Sequence, residues 1–377
     1  VSKWEKVKLG DVVTLLNGRA YKQDELLDEG ATPVLRVGNF FSNRGWYYSD
    51  LQLEENKYCD KGDLLYAWSA SFGPKIWDGP RAIYHYHIWK IVLSEHVEKG
   101  YMYYLLQQST KAIMNQGRGI EMIHATKGGM EKMLIPLPPL ETQKQIANTL
   151  EVAAELLAMR KQQLAELDNL IKSTFYDMFG NPVTNEKGWE LKHIGDFSMV
   201  KIGPFGSLLH VEDYIEDGFP LVNPSHIVGN KIVPDMNLTL SPEKFNELKG
   251  YVMEKGDIVV GRRGEIGRCA VVENEGFLCG TGSMFIRIEN DFLPMVLQRI
   301  ISSDPMRSIL EHQSVGVTMK NLNAGTISNL VVPMIPLLLQ TQFANIVTKI
   351  EEQKALVKKA IDETQYLFDS LMSEYFE

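Results

Sequence analysis

At 377 residues, with 44% apolar and 23% charged side chains, the chain has room for two or more domains with cores of their own. Its net charge of −9 excludes a protein that holds nucleic acid by counterion release alone. DNA binding would need a local basic patch, or a partner that supplies phosphate contacts. Cys59, Cys269 and Cys279 are odd in number and lack metal-ligand spacing, so they read as buried, reduced thiols rather than a disulfide framework.

In chain order, the first half opens with Trp4-Glu5-Lys6-Val7-Lys8-Leu9-Gly10-Asp11. A short strand is predicted at Thr32–Val37. Lys61-Gly62-Asp63 then reads as a turn feeding a strand at Leu64-Leu65-Tyr66. A polar loop, Ala67–Gly73, follows. His85–Ile91 alternates as a half-buried strand, a short helix is expected at about Tyr101–Met114, and a last loop runs Gly119–His124. After the proline-bearing stop Ile135-Pro136-Leu137-Pro138-Pro139, Leu140–Gly180 reads as one long helix.

The same order then repeats. Trp189-Glu190-Leu191-Lys192-His193-Ile194-Gly195-Asp196 restarts the pattern, and Phe219–Pro224 matches the first short strand. Lys255-Gly256-Asp257 feeds Ile258-Val259-Val260, the loop is Gly261–Arg268, and Gly282–Ile288 alternates. A helix is expected at about Leu293–Glu311 and a loop at Gly316–Asn321. A second stop, Val332-Pro333-Met334-Ile335-Pro336, precedes a second long helix, Leu337–Glu377. One constant shift lays Pro136 on Pro333, Pro139 on Pro336, Gln143 on Gln340, Gln145 on Gln342 and Ala147 on Ala344. The shift near the start of each half is smaller, as expected if insertions gather in surface loops.

The long helices carry heptads. Leu150, Leu157, Leu164, Ile171 and Met178 recur in the first, with Ile146, Ala153 and Leu167 between them. Phe343, Ile350, Val357 and Leu371 recur in the second, with Ile346, Ala360 and Leu367 between. Arg160, Gln353, Thr364 and Glu374 interrupt the seam. This is a coiled-coil pattern, and two such helices in one chain most simply pair with each other. At 1.5 Å per residue they would form a rod of about 57 Å, holding the globular halves apart. The predicted fold is α+β: globular domains at 1–139 and 181–336, and two long helices at 140–180 and 337–377 forming an antiparallel coiled coil. No membrane span is expected. No signal-peptide pattern opens the sequence, and the longest apolar run, Leu330–Leu339, contains Pro333 and Pro336, which points to a cytoplasmic chain.

Catalytic motifs are missing. Gly261-Arg262-Arg263-Gly264 lacks the phosphate-loop pattern, no methyltransferase cofactor loop opens a strand–helix unit, and Asn181-Pro182-Val183-Thr184 lacks the second proline and aromatic of an amino-methyltransferase motif. Pro234-Asp235 with Glu247-Leu248-Lys249 fits a loose metal-nuclease pattern, but Ser241–Leu248 reads as a capped helix start, not the adjacent strand such carboxylates need to share Mg²⁺. His85 and His87 share a strand face, yet no third metal ligand is in view.

The positive signal is the pair of matched loops. Their side chains suit base edges: Arg262, Arg263, Arg268, Ser283, Thr318, Lys320 and Asn321 in the second half, and Trp68, Ser69, Ser71, Arg118, His124 and Lys127 in the first. Three readings compete: a DNA-recognition protein, a stand-alone Mg²⁺ nuclease using Asp235, Glu247 and Lys249, and a scaffold that touches no DNA.

The doubled organisation, Pro136–Ala147 with its weaker copy ending Gln340-Thr341-Gln342-Phe343-Ala344, the two Lys-Gly-Asp turns, and Gly203-Pro204-Phe205-Gly206-Ser207 together resemble the specificity (S) subunit of Type I restriction–modification systems. The first half departs from this pattern: Gly18-Arg19-Ala20-Tyr21 stands in place of a Gly-Phe-Gly-Ser loop, and Trp68-Ser69-Ala70-Ser71 in place of an Arg-x-Gly. The resemblance implies a non-catalytic subunit. Each globular half would be a target recognition domain reading half of a bipartite double-stranded DNA sequence, with Arg19 and Ser207 added to the DNA-facing loops. The helices would fix the spacer. Two modification subunits would bring S-adenosylmethionine and methylate adenine N6, and restriction subunits would add ATP- and Mg²⁺-dependent translocation and cleavage. No cofactor is expected in this chain.

Overall fold

The computed structural model describes residues 4–42, 45–69, 71–116, 126–314 and 321–376. The chain forms two compact units, one of Val1–Leu164 with Leu356–Glu377 and one of Ala165–Ala355. Each long helix therefore gives one end to each unit. Among the described residues, no helix is long and apolar enough to cross a membrane.

In the first unit, β1 (Lys6–Lys8), α1 (Leu9–Val12) and β2 (Val13–Asn17) lead to β3 (Thr32–Leu35), α2 (Val37–Phe41), β4 (Tyr47–Ser49), β5 (Tyr58–Cys59), β6 (Leu64–Ser69), β7 (Ser71–Ile76), β8 (Ala82–Tyr84) and β9 (Ile88–Leu93). Then come α3 (Lys99–Gln116), α4 (Lys127–Lys132), β10 (Leu134–Pro136) and the long α5 (Leu140–Phe179). One antiparallel sheet has the order β2-β9-β6-β7. The other has the order β4-β3-β8-β5, with β3 and β8 parallel. β1 pairs with β10, Lys6 opposite Pro136, so the domain is tied shut directly before α5 begins. The core joins Leu15, Leu64, Tyr66 and Trp89 to Tyr101 and Leu105 of α3, and to Ile146 and Leu150 of α5.

The second unit repeats this with β11 (Leu191–His193), β12 (Ser198–Ile202), β13 (Tyr214–Ile215), β14 (Phe219–Val222), β15 (Ile227–Val228), β16 (Lys231–Ile232) and β17 (Thr239–Leu240). After α6 (Pro242–Glu247) come β18 (Ile258–Gly261), β19 (Cys269–Val271), β20 (Leu278–Cys279) and β21 (Ser283–Ile288). The remainder is α7 (Pro294–Ser302), α8 (Asp304–Gln313), α9 (Ala324–Ser328), β22 (Val331–Pro333) and α10 (Leu337–Phe376). Its main sheet, β12-β21-β18-β19, matches β2-β9-β6-β7 strand for strand; β14 pairs parallel with β20, and β11 pairs antiparallel with β22.

The recurring motifs are structural. In both Lys-Gly-Asp turns the glycine has positive φ, +93° at Gly62 and +96° at Gly256, a conformation costly for other residues. The aspartates close the turns: Asp63 accepts from the Asp60 amide at 2.8 Å and Asp257 from the Glu254 amide at 2.7 Å. Each also holds a cation from the neighbouring strand, Lys90 at 2.6 Å and Arg287 at 2.7 Å. Gln143 and Gln340 do another paired job. Gln143 is fully buried, accepts the Glu98 amide at 2.9 Å and donates to His96 O and Pro138 O. Gln340 is 2% exposed, accepts the Leu293 amide at 2.7 Å and donates to Ile335 O at 2.7 Å. One amide per half thus fastens the start of a long helix to the segment leading into the domain's own helix.

The long helices run antiparallel. Within the first unit, Ile146, Leu150 and Ala153 share a core with Phe368 and Met372. Within the second, Ile171, Phe175 and Phe179 share one with Phe343, Val347 and Ile350. Gly180, at φ +76°, caps α5 and donates its amide to Tyr176 O at 2.8 Å. Leu150, Leu157, Leu164, Ile171, Met178, Phe343, Ile350, Val357 and Leu371 are all buried or half-buried.

The second row on α10 differs from expectation. Ile346 and Leu367 are 38% and 52% exposed, while Val347, Phe368 and Met372 are buried. That row therefore lies one position later, because α10 packs on its domain as well as on α5. Gln353 is exposed, and the buried polar position is Lys354, which pairs with Asp168 at 2.6 Å and Glu351 at 2.8 Å. Arg160 does sit in the seam, donating to Ala360 O and Thr364 Oγ1.

Two further differences concern local elements. The strand expected from His85 begins only at Ile88, leaving His85-Tyr86-His87 as a connection between β8 and β9. The helix expected over Leu293–Glu311 is broken at Ser303, where Pro305 near the start of α8 has no amide to continue α7. Replacing Gln143 by Ala should cost about 1–3 kcal/mol, since the Glu98 amide and the His96 and Pro138 carbonyls each lose a buried partner. Chemical denaturation of the Q143A chain measures this, and Q340A should behave alike.

Candidate nucleic-acid interface

Each main sheet ends in a rim where three connections meet. In the second unit, β18 ends at Gly261, and the next residue, Arg262, donates its amide to Gly282 O at 3.0 Å. Arg262 O accepts from Leu322 at 2.9 Å, its Nε donates to Asn321 Oδ1 at 3.1 Å, and Arg263 forms a β-bridge with Asn321. The two guanidiniums are neighbours, and among the described residues no salt bridge neutralises either. Burial, and then the charge of Arg263, push the Arg262 pKa down. Arg263 is exposed and Asn321 is half-buried. The arrangement offers two uncompensated cations, the Arg262 side chain held by the Asn321 amide and Arg263 placed beside it by a backbone bridge, suited to guanine O6/N7 or to phosphate.

The other sequence candidates in this unit separate. Arg268 is ion-paired with Glu265, holding that carboxyl below its usual range. Ser283 is fully buried as the first residue of β21, so it cannot reach a base edge. Ser207 lies in the turn Gly206–Leu208. Thr318 and Lys320 lie outside the described residues.

In the first unit the rim is built of rings. The Trp68 indole donates to Tyr86 O at 2.9 Å, stacks on Trp89 at 5.6 Å and meets His87 edge-on at 5.0 Å. It is therefore a packed ring that shapes the rim. Ser69 is half-buried opposite Ser71 at the tip of the β6–β7 hairpin. Arg19 forks onto Glu25 at 2.7 and 3.0 Å, which cancels its charge. Lys127 opens α4 beside Glu131, and α4 packs on α1, which precedes β2; the rim follows the other end of β2. Lys127 is thus remote from Trp68 and Ser69. Arg118 and His124 lie outside the described residues.

His85 and His87, weighed from the sequence as a metal pair or as packed or DNA-facing histidines, converge here with Arg36, which the sequence did not single out. Arg36, His85 and His87 line a cavity of about 340 Å³. The histidine rings are 4.8 Å apart, and His87 donates its amide to His85 Nδ1 at 3.5 Å. They lie on a turn, not on one strand face. The signal in the sequence was the ring-rich His85-Tyr86-His87 run; Arg36 gave none, because it reads as the continuation of a strand.

Among the described residues, no group of three or more His, Cys, Asp or Glu side chains could hold a metal ion. Asp235 accepts from the Asn237 amide at 3.0 Å in a local turn, and Glu247 ends α6 beside Lys244. They do not lie on adjacent strands, so the nuclease pattern has no structural counterpart. All three cysteines are buried, and burial pushes the Cys59 and Cys269 thiols up to about 12.

The family model for the Type I restriction modification DNA specificity domain matches residues 1–169 and again 186–365. The chain is 24% identical to the Type I restriction enzyme EcoBI specificity subunit of Escherichia coli, over 94% of this chain and 78% of that one. It is 23% identical to the MjaVIII specificity subunit of Methanocaldococcus jannaschii, over 95% and 86%. Among solved structures, the S subunit of a Type I restriction-modification system from M. genitalium shares the fold with a TM-score of 0.58 at 17% identity, over 100% of this chain and 96% of that chain. A chain from a type I R-M system, solved to describe complex assembly and conformational transition, gives a TM-score of 0.62 at 17% identity, over 99% and 97%.

Burial, followed by the charges of His87 and Arg36, holds His85 down at about 4, against an ordinary value of 6.5. The imidazole is therefore neutral at neutral pH. In the unfolded chain it takes up a proton as pH falls through 6.5, while the folded chain resists until about 4. The contribution present above pH 6.5 is thus lost between those values. Histidine ring shifts followed by NMR should give a His85 midpoint near 4, and H85A should lessen the loss of stability across that window.

Proposed function

The chain belongs to the Type I restriction modification DNA specificity family, and from that premise we propose that each globular half reads one half of a bipartite double-stranded DNA target for partner subunits that carry out the chemistry. The observation that carries this reading is the duplicated rim, above all the uncompensated Arg262–Arg263 pair, with Arg262 held by Asn321. Two like charges without a protein counter-ion at a sheet edge suit an anionic partner such as DNA.

Two modification subunits would bring S-adenosylmethionine and methylate adenine N6, a reaction that requires the base to leave the stack. Restriction subunits would bring ATP- and Mg²⁺-dependent translocation and cleavage. The net charge of −9 fits this division, since partners would supply much of the phosphate contact. A docking surface is available on α5, where Val152, Leu156 and Met159 are 55%, 36% and 58% exposed and spaced to share one helix face. The assembly would act in the cytoplasm, where the host DNA is.

The test is mapping of N6-methyladenine in DNA methylated by the assembled complex. The double variant R262A/R263A should relax or abolish one half-site and leave the other readable. An unchanged motif with unchanged DNA affinity would favour the scaffold reading. A second expectation concerns spacing. Removing seven residues from facing stretches of both long helices shortens them by about 10 Å, about three base pairs of B-DNA. The unread spacer should shorten by that amount while both half-sites persist; a constant spacer would refute a ruler role for the helices.

A further inference from the structure

The two rims can be aligned residue by residue, because their backbone hydrogen bonds repeat. Trp68 N donates to His87 O at 3.0 Å, as Arg262 N does to Gly282 O at 3.0 Å. His85 N donates to Leu35 O at 2.9 Å, as Gly280 N does to Val222 O at 2.9 Å. Asn39 N donates to Arg36 O at 3.0 Å, as His226 N does to Asn223 O at 2.9 Å. Gly18 N meets Ile88 O at 3.3 Å, as Gly203 N meets Ser283 O at 3.1 Å. Trp68 therefore occupies the position of Arg262, Arg36 that of Asn223, and His85-Tyr86-His87 that of Gly280-Thr281-Gly282.

On this shared frame the side chains are exchanged. Where the second half carries a charged arginine, the first carries Trp68, whose indole N–H is taken by Tyr86 O and whose ring is stacked on Trp89. Where the second half carries two glycines, the first carries two imidazoles. The space between these positions is also inverted. In the second half the Asn223 side chain fills it: a Cβ on Gly280 would meet Asn223 Oδ1 at 2.2 Å, and one on Gly282 would meet Pro224 Cδ at 2.9 Å. In the first half the same place is the cavity of about 340 Å³ lined by Arg36, His85 and His87.

The cavity presents donors. Arg36 is exposed, its guanidinium 5.3 Å from the centre of the Tyr47 ring, and among the described residues no salt bridge holds it. With Nδ1 facing the His87 amide at 3.5 Å, the neutral His85 ring can donate through Nε2. Arginine has no acceptor at all.

Resting on the function proposed above, we propose that Arg36 and His85 read the first half-site, in place of the hairpin position that carries Arg262 in the second half, and that they read a base edge made of acceptors, guanine O6 and N7. In the major groove guanine alone presents two adjacent acceptors, so a donor-only pair selects it. The two halves of this chain therefore use different positions of one frame to read their half-sites.

The experiment compares N6-methyladenine motifs written by the complex with its methyltransferase partner for the unaltered chain, R36A, H85A and R262A/R263A. R36A and H85A should each reduce preference for a guanine in one half-site by about tenfold, the scale of one lost donor pair. R262A/R263A should alter only the other half-site. R36K should retain more of the preference than R36A. The exposed position of Arg36 makes R36A a test independent of any folding defect in H85A, and the melting temperature checks this. Both half-sites unchanged in R36A and H85A would overturn the inference and leave the proposed function standing. So would a change in the same half-site that R262A/R263A alters. An unaltered chain that directs no bipartite motif would overturn the function, and the inference with it.

Discussion

Neither globular half has a complete core without both long helices. The first closes over Ile146 and Leu150 from one and Phe368 and Met372 from the other. The second closes over Ile171, Phe175 and Phe179 together with Phe343, Val347 and Ile350. Apolar burial of side chains this large contributes about 1.5–3 kcal/mol each, so the helices are part of each fold rather than tethers between folds. Sliding one helix on the other would have to unpack these aromatic rings. Arg160 with Thr364 and Lys354 with Asp168 add polar contacts that a shifted register would break. A buried cation left without its partner is costly, and this disfavours neighbouring registers.

With the helices and main sheets so constrained, the rims can differ in side chains on a common backbone. The frame beneath them depends on groups that touch nothing outside the domain: positive-φ glycines and carboxylates in the Lys-Gly-Asp turns, and Gly18 and Gly203, where a Cβ would lie 2.3 Å from Tyr84 O and 2.0 Å from Gly280 O. These are the features the halves share. Where they differ, at Trp68 and Arg262 or at His85 and Gly280, the backbone hydrogen bonds are unaltered. A frame that tolerates such exchanges allows recognition chemistry to change without loss of the fold.

Electrostatics divides the candidates more sharply than their position in a loop. Arg19 and Arg268 were chosen as cations in matched loops, yet each is neutralised by a nearby glutamate. Ser283 lies at the correct edge but faces the core. Among the described candidates, Arg262 and Arg263 have no salt bridge, and Arg36, unremarkable in sequence, joins them.

The amino-acid sequence by itself determined the duplication, the two long helices with their proline-bearing stops, the α+β class and the strands after each Lys-Gly-Asp turn. All of these rest on local periodicity, turn chemistry or repeated spacing, which are written along the chain. Tertiary structure decided the rest. The second seam row of α10 moved from Ile346 and Leu367 to Val347 and Phe368 because that helix packs on a domain as well as on its partner. The helix expected over Leu293–Glu311 broke where Pro305 starts a new one. The convergence of Arg36, His85 and His87 depends on a parallel pairing of β3 with β8. No spacing rule encodes a contact between residues brought together by a sheet, and for that reason the frame and the Arg262, Arg263 and Asn321 group were legible in the sequence while the chemistry of the first rim was not.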